Sequence, residues 1–322
     1  MIITRTPFRV SFAGGGTDLK EFYSQNGYGA VVSAAINKYM YIVIHPYFHD
    51  KIRLKYSKTE DVENIDEIQH PIIRECLKKV QIERGIEIAS FADIPAGTGL
   101  GSSSSFTVGL LNALYAYKGK VISKKRLAEE ACQIEIDILG EPIGKQDQYA
   151  TAYGNLNYIR FNRDETVDVS LVFLNETSRE KLESRVALYY VGGKRSSRDI
   201  LSEQKRNMSL EDKYLNLEKM LVITEELKEA LYEEKIGDVG VILHKGWLYK
   251  KELANSITNE KIDALYEKAL KFGADGGKLL GAGGTGFLLI YSDNHENLKR
   301  QLSCKTIRFN IDREGSRIIF YD

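Results

Sequence analysis

Asp93-Ile94-Pro95-Ala96-Gly97-Thr98-Gly99-Leu100-Gly101-Ser102-Ser103-Ser104-Ser105 decides how the rest of this chain is read, because it has the chemistry of a phosphate cradle. It follows Ile86-Glu87-Ile88-Ala89-Ser90-Phe91-Ala92, which alternates in part like a strand. It precedes Phe106 to Tyr117, a charge-free stretch that reads as a buried helix. Strand, glycine-rich turn and helix start thus come in the order that aims free backbone N–H groups and the positive helix end at an anion. Gly97, Gly99 and Gly101 let the backbone approach a bulky triphosphate. The hydroxyls of Ser102, Ser103, Ser104 and Ser105 add donors and candidate ligands for a magnesium ion. A serine N-cap behind a flexible loop is the plainer reading, but one serine suffices for a cap, and four behind three glycines favour phosphate.

Outward from this loop, the first half alternates strand-like and helix-like stretches. Arg9-Val10-Ser11-Phe12-Ala13 is strand-like and ends in Gly14-Gly15-Gly16. Ala30 to Ile36 and Tyr39 to Ile44 read as successive strands, rich in β-branched and aromatic residues. Pro71 to Arg84 and Lys124 to Leu139 read as amphipathic helices, the second carrying Leu127, Ala131, Ile134 and Ile138 at helical spacing. Gly140-Glu141-Pro142-Ile143-Gly144 breaks it. Between Arg160 and Leu182 the chain turns polar and charge-mixed, which places a domain boundary near residue 170 and gives domains at 1–170 and 171–322. Beyond lie a strand from Val186 to Val191, helical tracts from Ser209 to Lys235 and from Gly237 to Phe272, and a strand from Phe287 to Tyr291.

Composition narrows the function classes. The 322 residues exceed one typical core, and 43% hydrophobic with 28% charged residues describe a soluble globular protein. Forty-five basic residues balance forty-five acidic ones, so no basic excess exists for a nucleic-acid backbone, and no basic amphipathic tail suggests a membrane surface. Cys76, Cys132 and Cys304 are odd in number, widely spaced and without a Cys-x-x-Cys pair, which argues against disulfides and a zinc site. The start, Met1 to Pro7, lacks a signal-peptide core, and no apolar run is long enough to span a bilayer; a cytoplasmic protein is expected. Gly281-x-Gly283-x-x-Gly286 matches the dinucleotide fingerprint, but a helix precedes it and a strand follows, the reverse of a Rossmann site. No P-loop string occurs, and the five histidines read as scattered surface or core residues.

Three glycine-rich segments remain, near the start, the middle and the end: Arg9 to Asp18, Pro95 to Ser105, and Lys278 to Gly286. Their order resembles the three motifs of the GHMP small-molecule kinases, and the resemblance spans nearly the whole chain. Gly14-Gly15-Gly16 stands where galactokinase itself has Gly-Glu-His, a departure from plain galactokinase. Gly-Gly-Gly-Thr-Asp at 14–18, Leu243 to Lys251, Ser256-Ile257-Thr258 and Gly273 to Lys278 are similar to the branch of heptose 7-phosphate kinases and fucokinase-like enzymes. The resemblance implies an α+β fold of two domains, the first like domain 2 of ribosomal protein S5 and the second a ferredoxin-like α/β sandwich, with the active site between them. It implies ATP and Mg²⁺ as cofactors, a sugar or sugar phosphate as the other ligand, and a monomer or homodimer. The favoured reaction is transfer to the anomeric hydroxyl of a heptose 7-phosphate, with an L-fucose-type 1-kinase as the alternative. A silent sugar- and ATP-binding regulator and a decarboxylase of the same fold are the rivals.

The resemblance also implies roles, each set beside a plainer one. Pro95, Gly97, Gly99, Leu100, Gly101 and Ser102 to Ser105 would cradle the nucleotide, and Ser103 with Glu135 would hold the metal; Glu135 shares a helical face with Ala128, Ala131 and Ile138, or is a salt-bridged edge glutamate. Asp147 would take the acceptor proton, or cap a short helix. Arg9 would face the transferring phosphoryl group, or pair at a strand edge. Asp18 would accept from sugar hydroxyls beside Gly15, Gly16 and Thr17, although Asp18-x-x-Glu21 also resembles a capping box. Gly283 and Gly284 would complete the sugar site. Lys194, Arg195 and Arg198 suit a phosphate already on the substrate, or are a solvated basic turn.

Overall fold

The computed structural model describes residues 1–192 and 197–322. The first half runs β1 (Ile2–Ala13), α1 (Lys20–Asn26), β2 (Tyr28–Pro46), β3 (Ile52–Lys55), β4 (Thr59–Val62), α2 (Pro71–Val80), β5 (Ile86–Ala92), α3 (Ser102–Tyr117), α4 (Lys124–Cys132), α5 (Gln146–Tyr153), β6 (Leu156–Asn162) and β7 (Val167–Leu171). The second runs α6 (Glu176–Arg185), β8 (Val186–Gly192), α7 (Ser197–Asn207), α8 (Glu211–Tyr232), α9 (Val239–Lys251), α10 (Glu260–Lys271), β9 (Gly276–Leu279), β10 (Gly286–Tyr291), α11 (His295–Leu302), β11 (Thr306–Ile307) and β12 (Arg317–Tyr321).

Among the described residues the strands form two sheets. β2 is the spine of the larger one: β1 lies along one edge, while β6 pairs with its first half and β5 with its second. The stretches Ala30–Ile36 and Tyr39–Ile44, expected as two strands, are one continuous strand. Asn37 and Lys38, between the two stretches, are taken up by a register shift opposite Pro7 and Phe8. α3 packs on β1 and β2 and is buried from Ser104 to Ala116, which is why its sequence carries no charge. The smaller sheet has the order β11-β8-β10-β9, antiparallel throughout. With α7 to α10 between β8 and β9 and α11 between β10 and β11, this is the ferredoxin-like arrangement.

Two helical expectations are corrected in a way that shapes the site. Lys124 to Leu139 is not one α-helix: α4 gives way at Gln133–Ile138 to a π-helical turn, closed by Leu139 N–H donating to Ile134 C=O at 3.0 Å. The extra residue per turn carries Glu135 inward while the apolar face of α4 keeps its register. The Gly237 to Phe272 tract is likewise divided into α9 and α10, with Asn259 capping the second through Ile262 N–H at 3.1 Å.

The far end of the chain closes the larger sheet. β12 pairs with β1, and Asp312, buried beside it, accepts from the backbone N–H groups of Glu314 at 3.0 Å and Gly315 at 2.8 Å and from Tyr39 Oη at 3.0 Å. Asp312→Ala removes the acceptor for all three donors at once. Loss of about 2–4 kcal/mol of stability is expected, read as a lower urea midpoint, with Michaelis constants unchanged because the residue lies outside the cleft.

Candidate active site

A cleft of about 530 Å³ opens between the sheets, and the three glycine-rich segments meet in it. Arg9 and Ser11 come from β1, Gly15, Gly16 and Asp18 from the loop after it, Gly97, Gly99 and Gly101 from the loop before α3, Ser102 to Ser104 from its first turn, Gly144, Gln146 and Asp147 from the start of α5, and Lys278, Gly281 and Gly283 from β9 and the turn that follows.

α3 begins behind Gly101, which has φ +74°, and no side chain caps its first N–H groups. Gly101 and Ser102 to Ser104 line the cleft, so this uncapped helix start borders it, as a phosphate site requires. The four serines divide their work. Ser102 and Ser103 stand at the surface of the cleft, whereas Ser105 is fully buried and donates from Oγ toward Pro7 C=O and Gly101 C=O, both at 2.9 Å. Ser105 anchors the helix to β1 and has no hydroxyl to offer a nucleotide. Leu100 is also buried, and its carbonyl accepts from Arg9 N–H at 3.0 Å. Pro95 lies outside the cleft lining. Gly99 and Gly281 meet back to back: a Cβ on Gly99 would lie 2.6 Å from Leu280 O, and one on Gly281 would lie 2.5 Å from Gly99 Cα. Only glycine permits this contact, which docks the third motif on the second.

Arg9 and Asp147 form a bidentate pair, with Nε to Oδ1 at 2.6 Å and Nη2 to Oδ2 at 2.8 Å, and the remaining Nη1 donates to Gly99 C=O at 2.6 Å. The strand-edge reading of Arg9 and the capping reading of Asp147 both give way here. Arg9 is buried, and α5 starts one residue before Asp147 without a side-chain cap.

Glu135 is 1% exposed beneath the serines. Its carboxylate accepts from Ser103 Oγ at 2.5 Å, Ser104 Oγ at 2.8 Å and Gln148 Nε2 at 2.6 Å. Burial pushes its carboxyl above the usual range, and those three bonds only partly offset the shift. No cluster of three or more His, Cys, Asp or Glu residues suited to a metal exists among the described residues. A hard cation here would rely on Glu135, the Ser103 hydroxyl and phosphate oxygens, a donor set that suits magnesium.

Asp18 is buried and accepts from Gly16 N–H at 2.8 Å and Gln146 N–H at 3.3 Å. Desolvation raises its carboxyl, with the backbone bond from Gly16 opposing. The capping-box reading fails, since Leu19 occupies the N-cap of α1 and no side chain caps it. Thr17 does not reach the cleft: it is fully buried, and its Oγ1 lies 2.8 Å from the carbonyls of both Gly14 and Ala30. Gly283 lines the cleft, but Gly284 donates its N–H to Ile257 C=O at 2.8 Å. Arg198 is exposed, 3.7 Å from Glu141 Oε2 and outside the lining; Lys194 and Arg195 lie outside the described residues.

Several lining residues escaped the sequence reading. Ser11 Oγ, Gln146 Oε1 and Gln204 Nε2 are buried without hydrogen-bond partners, and they gather around Gly15 and Gly16 beside Asp18. At the other end Met40, Ile72, His70 and Phe106 form an apolar wall, the last two stacked at 5.1 Å. Lys250 and Lys278 line the floor.

Comparison with known proteins places this geometry. Residues 70–155 match the GHMP kinases N terminal domain, and residues 227–308 match the GHMP kinases C terminal domain. The chain is 30% identical over 310 residues to D-glycero-alpha-D-manno-heptose 7-phosphate kinase of Campylobacter jejuni, covering 91% of this chain and 89% of that protein. It is also 30% identical over 340 residues to a galactokinase of Pyrococcus furiosus, covering 92% and 91%. The crystal structure of a D-glycero-D-manno-heptose 1-phosphate kinase from Bacteroides thetaiotaomicron superposes with a TM-score of 0.82 at 23% identity, over 100% of both chains.

The carboxylate of Asp18 needs the bare backbone of Gly144, where a Cβ would lie 2.0 Å from Oδ2. Gly144→Ala displaces that carboxylate. A fall of at least roughly 100-fold in kcat/KM for the acceptor is expected, from the misplacement of one positioning group. Binding of a fluorescent ATP analogue should change little.

Proposed function

The chain belongs to the GHMP kinase family, and from that premise we propose that it phosphorylates the anomeric hydroxyl of a heptose 7-phosphate with ATP. The product is the 1,7-bisphosphate, a precursor of nucleotide-activated heptose for surface polysaccharide, made in the cytoplasm. The observation that carries a sugar as acceptor is the ring of unpartnered polar atoms on Ser11, Gln146 and Gln204 around Asp18. Buried polar atoms left alone are costly, and a polyhydroxylated ligand supplies the missing partners. The Campylobacter jejuni relative, alike over nearly the full length of both chains, supports heptose 7-phosphate.

In this reading the triphosphate lies on the backbone amides of Gly97 to Ser104, and the adenine lies against Met40, Ile72, His70 and Phe106. Glu135 and the Ser103 hydroxyl would hold a magnesium ion, which would supply charge neutralisation to the phosphate oxygens. Asp18, Gln146 and Gln204 orient the sugar so that its hydroxyl faces Asp147. The hydroxyl oxygen bonds to the γ-phosphorus, the bond to the bridging oxygen breaks with ADP as leaving group, and the hydroxyl proton passes to Asp147. Arg9 holds both oxygens of the Asp147 carboxylate and so aims it, while its bond to Gly99 C=O fixes that carboxylate against the phosphate loop. The galactokinase relative favours a second reading, a 1-kinase for an unphosphorylated sugar such as galactose or L-fucose.

A coupled ADP-release assay across heptose 7-phosphate, fucose, galactose, mannose and mevalonate tests the acceptor. Turnover with heptose 7-phosphate should lead by at least roughly tenfold in kcat/KM; a lead for an unphosphorylated sugar replaces the first reading by the second. Asp147→Asn should still fold, with Tm lowered because the buried Arg9 loses its charged partner, yet lose roughly 100-fold or more in kcat, as expected for removal of the proton acceptor. Near-normal turnover contradicts that role. Gln204→Ala should raise KM for the sugar and leave KM for ATP unaltered.

A further inference from the structure

Two lysines on the cleft floor have no role in the account so far. Lys250 ends the buried face of α9, behind Leu243 and Trp247, and Lys278 sits on β9; they are 5% and 4% exposed. Lys250 Nζ donates to the carbonyls of Leu279 at 3.2 Å and Gly281 at 2.6 Å. Among the described residues neither ammonium is in an ion pair with a carboxylate. Asp18, the carboxylate whose charge reaches both, is already bound by two backbone N–H groups. Arg9 faces them as a third cation, and its own partner Asp147 is committed to it. Burial, then the charge of Arg9, pushes Lys250 down to about 8. Burial, then Lys250 and Arg9, pushes Lys278 well below the usual lysine range. A buried cluster of this sign is costly until an anion joins it.

The surrounding contacts say which anion. Lys250 rests on Gly281, Gly281 lies against Gly99, and Gly99 C=O holds Arg9. Lys250 therefore stands where the phosphate loop meets the Arg9–Asp147 pair, and Lys278 lines the same cleft within reach of its charge. We propose that Lys250 and Lys278 are catalytic residues that hold the nonbridging oxygens of the γ-phosphoryl group as it passes from ADP's terminal oxygen to the sugar oxygen. The broken and formed bonds and the proton transfer to Asp147 are those given above, and the lysines change none of them. They stabilise charge on the moving group, and arrival of that charge favours their protonated forms. The inference rests on phosphotransfer from ATP and not on the identity of the sugar.

Lys250→Met and Lys278→Met test it. Each should lower kcat by roughly 100-fold or more, as for loss of one preorganised donor to the transition state. KM for ATP should stay within a few-fold, and Tm of Lys278→Met should equal or exceed that of the unmodified protein, whereas Lys250→Met also takes a donor from the carbonyls of Leu279 and Gly281. A kcat within threefold of the unmodified enzyme overturns the proposal. So does a rise confined to KM for the sugar phosphate, which would assign the lysines to the phosphate already on the substrate. A second readout needs no variant: calorimetric titration of the unmodified protein at pH 8 in buffers of differing ionisation enthalpy. Magnesium–ATP without sugar should take up protons and magnesium–ADP should not. Equal proton numbers for the two, or uptake with heptose 7-phosphate alone, overturns the proposal. A wrong sugar assignment would appear only in the acceptor panel and leave both readouts intact.

Discussion

The structure depends on one ion pair. Arg9 reaches from β1 to grip both oxygens of Asp147 at the start of α5, and its third nitrogen holds the Gly99 carbonyl of the phosphate loop. One guanidinium thus sets the distance between the Asp147 carboxylate, the proposed proton acceptor, and the glycine-rich loop, the proposed polyphosphate site, which lie far apart in sequence. The buried geometry makes the pair stiff, and a planar fork with five donors is what allows three fixed acceptors to be held at once. Gly99 then passes the constraint on, because its contact with Gly281 seats the smaller sheet on the same loop.

Around that pair the cleft is built with unmet demands. Glu135 lies buried under two serines and a glutamine with burial raising its carboxyl, Lys250 and Lys278 lie buried with lowered affinity for protons, and three side-chain atoms near Asp18 lack partners. Each demand has a counterpart in a phosphotransfer complex: a cation, a phosphoryl group, a set of hydroxyls. A protein that only needed to fold would replace these groups by apolar ones of similar size, and their retention is the cost of preorganisation.

Much of this was legible because the motifs are local. Glycine spacing and hydroxyl runs announced the loop at Gly97–Ser104, and the order of three glycine segments announced the fold class and the enzyme family. What was not legible depends on burial or on distance along the chain. Asp18-x-x-Glu21 has capping-box spacing, but Gly144 leaves room for the Asp18 carboxylate to turn toward Gly16 and Gln146 instead. Thr17 and Ser105 have the right residue type in the right motif, yet their hydroxyls hold backbone together. Lys250 beside Lys251 reads as an ordinary basic helix end, although its spacing from Leu243 and Trp247 puts it on the apolar face, a signal that was available. Gln204 gave no local sign at all, since it enters the cleft from a helix of the other half of the chain.

The central claim is that one cleft brings a nucleotide polyphosphate on the Gly97–Ser104 loop face to face with a carbohydrate hydroxyl at Asp147. The most direct measurement is a crystal structure of the protein with a nonhydrolysable ATP analogue, Mg²⁺ and heptose 7-phosphate. The account predicts the triphosphate on the α3 amides and the anomeric oxygen within hydrogen-bond reach of Asp147. A nucleotide lodged elsewhere, or a sugar whose nearest carboxylate is another residue, would contradict it.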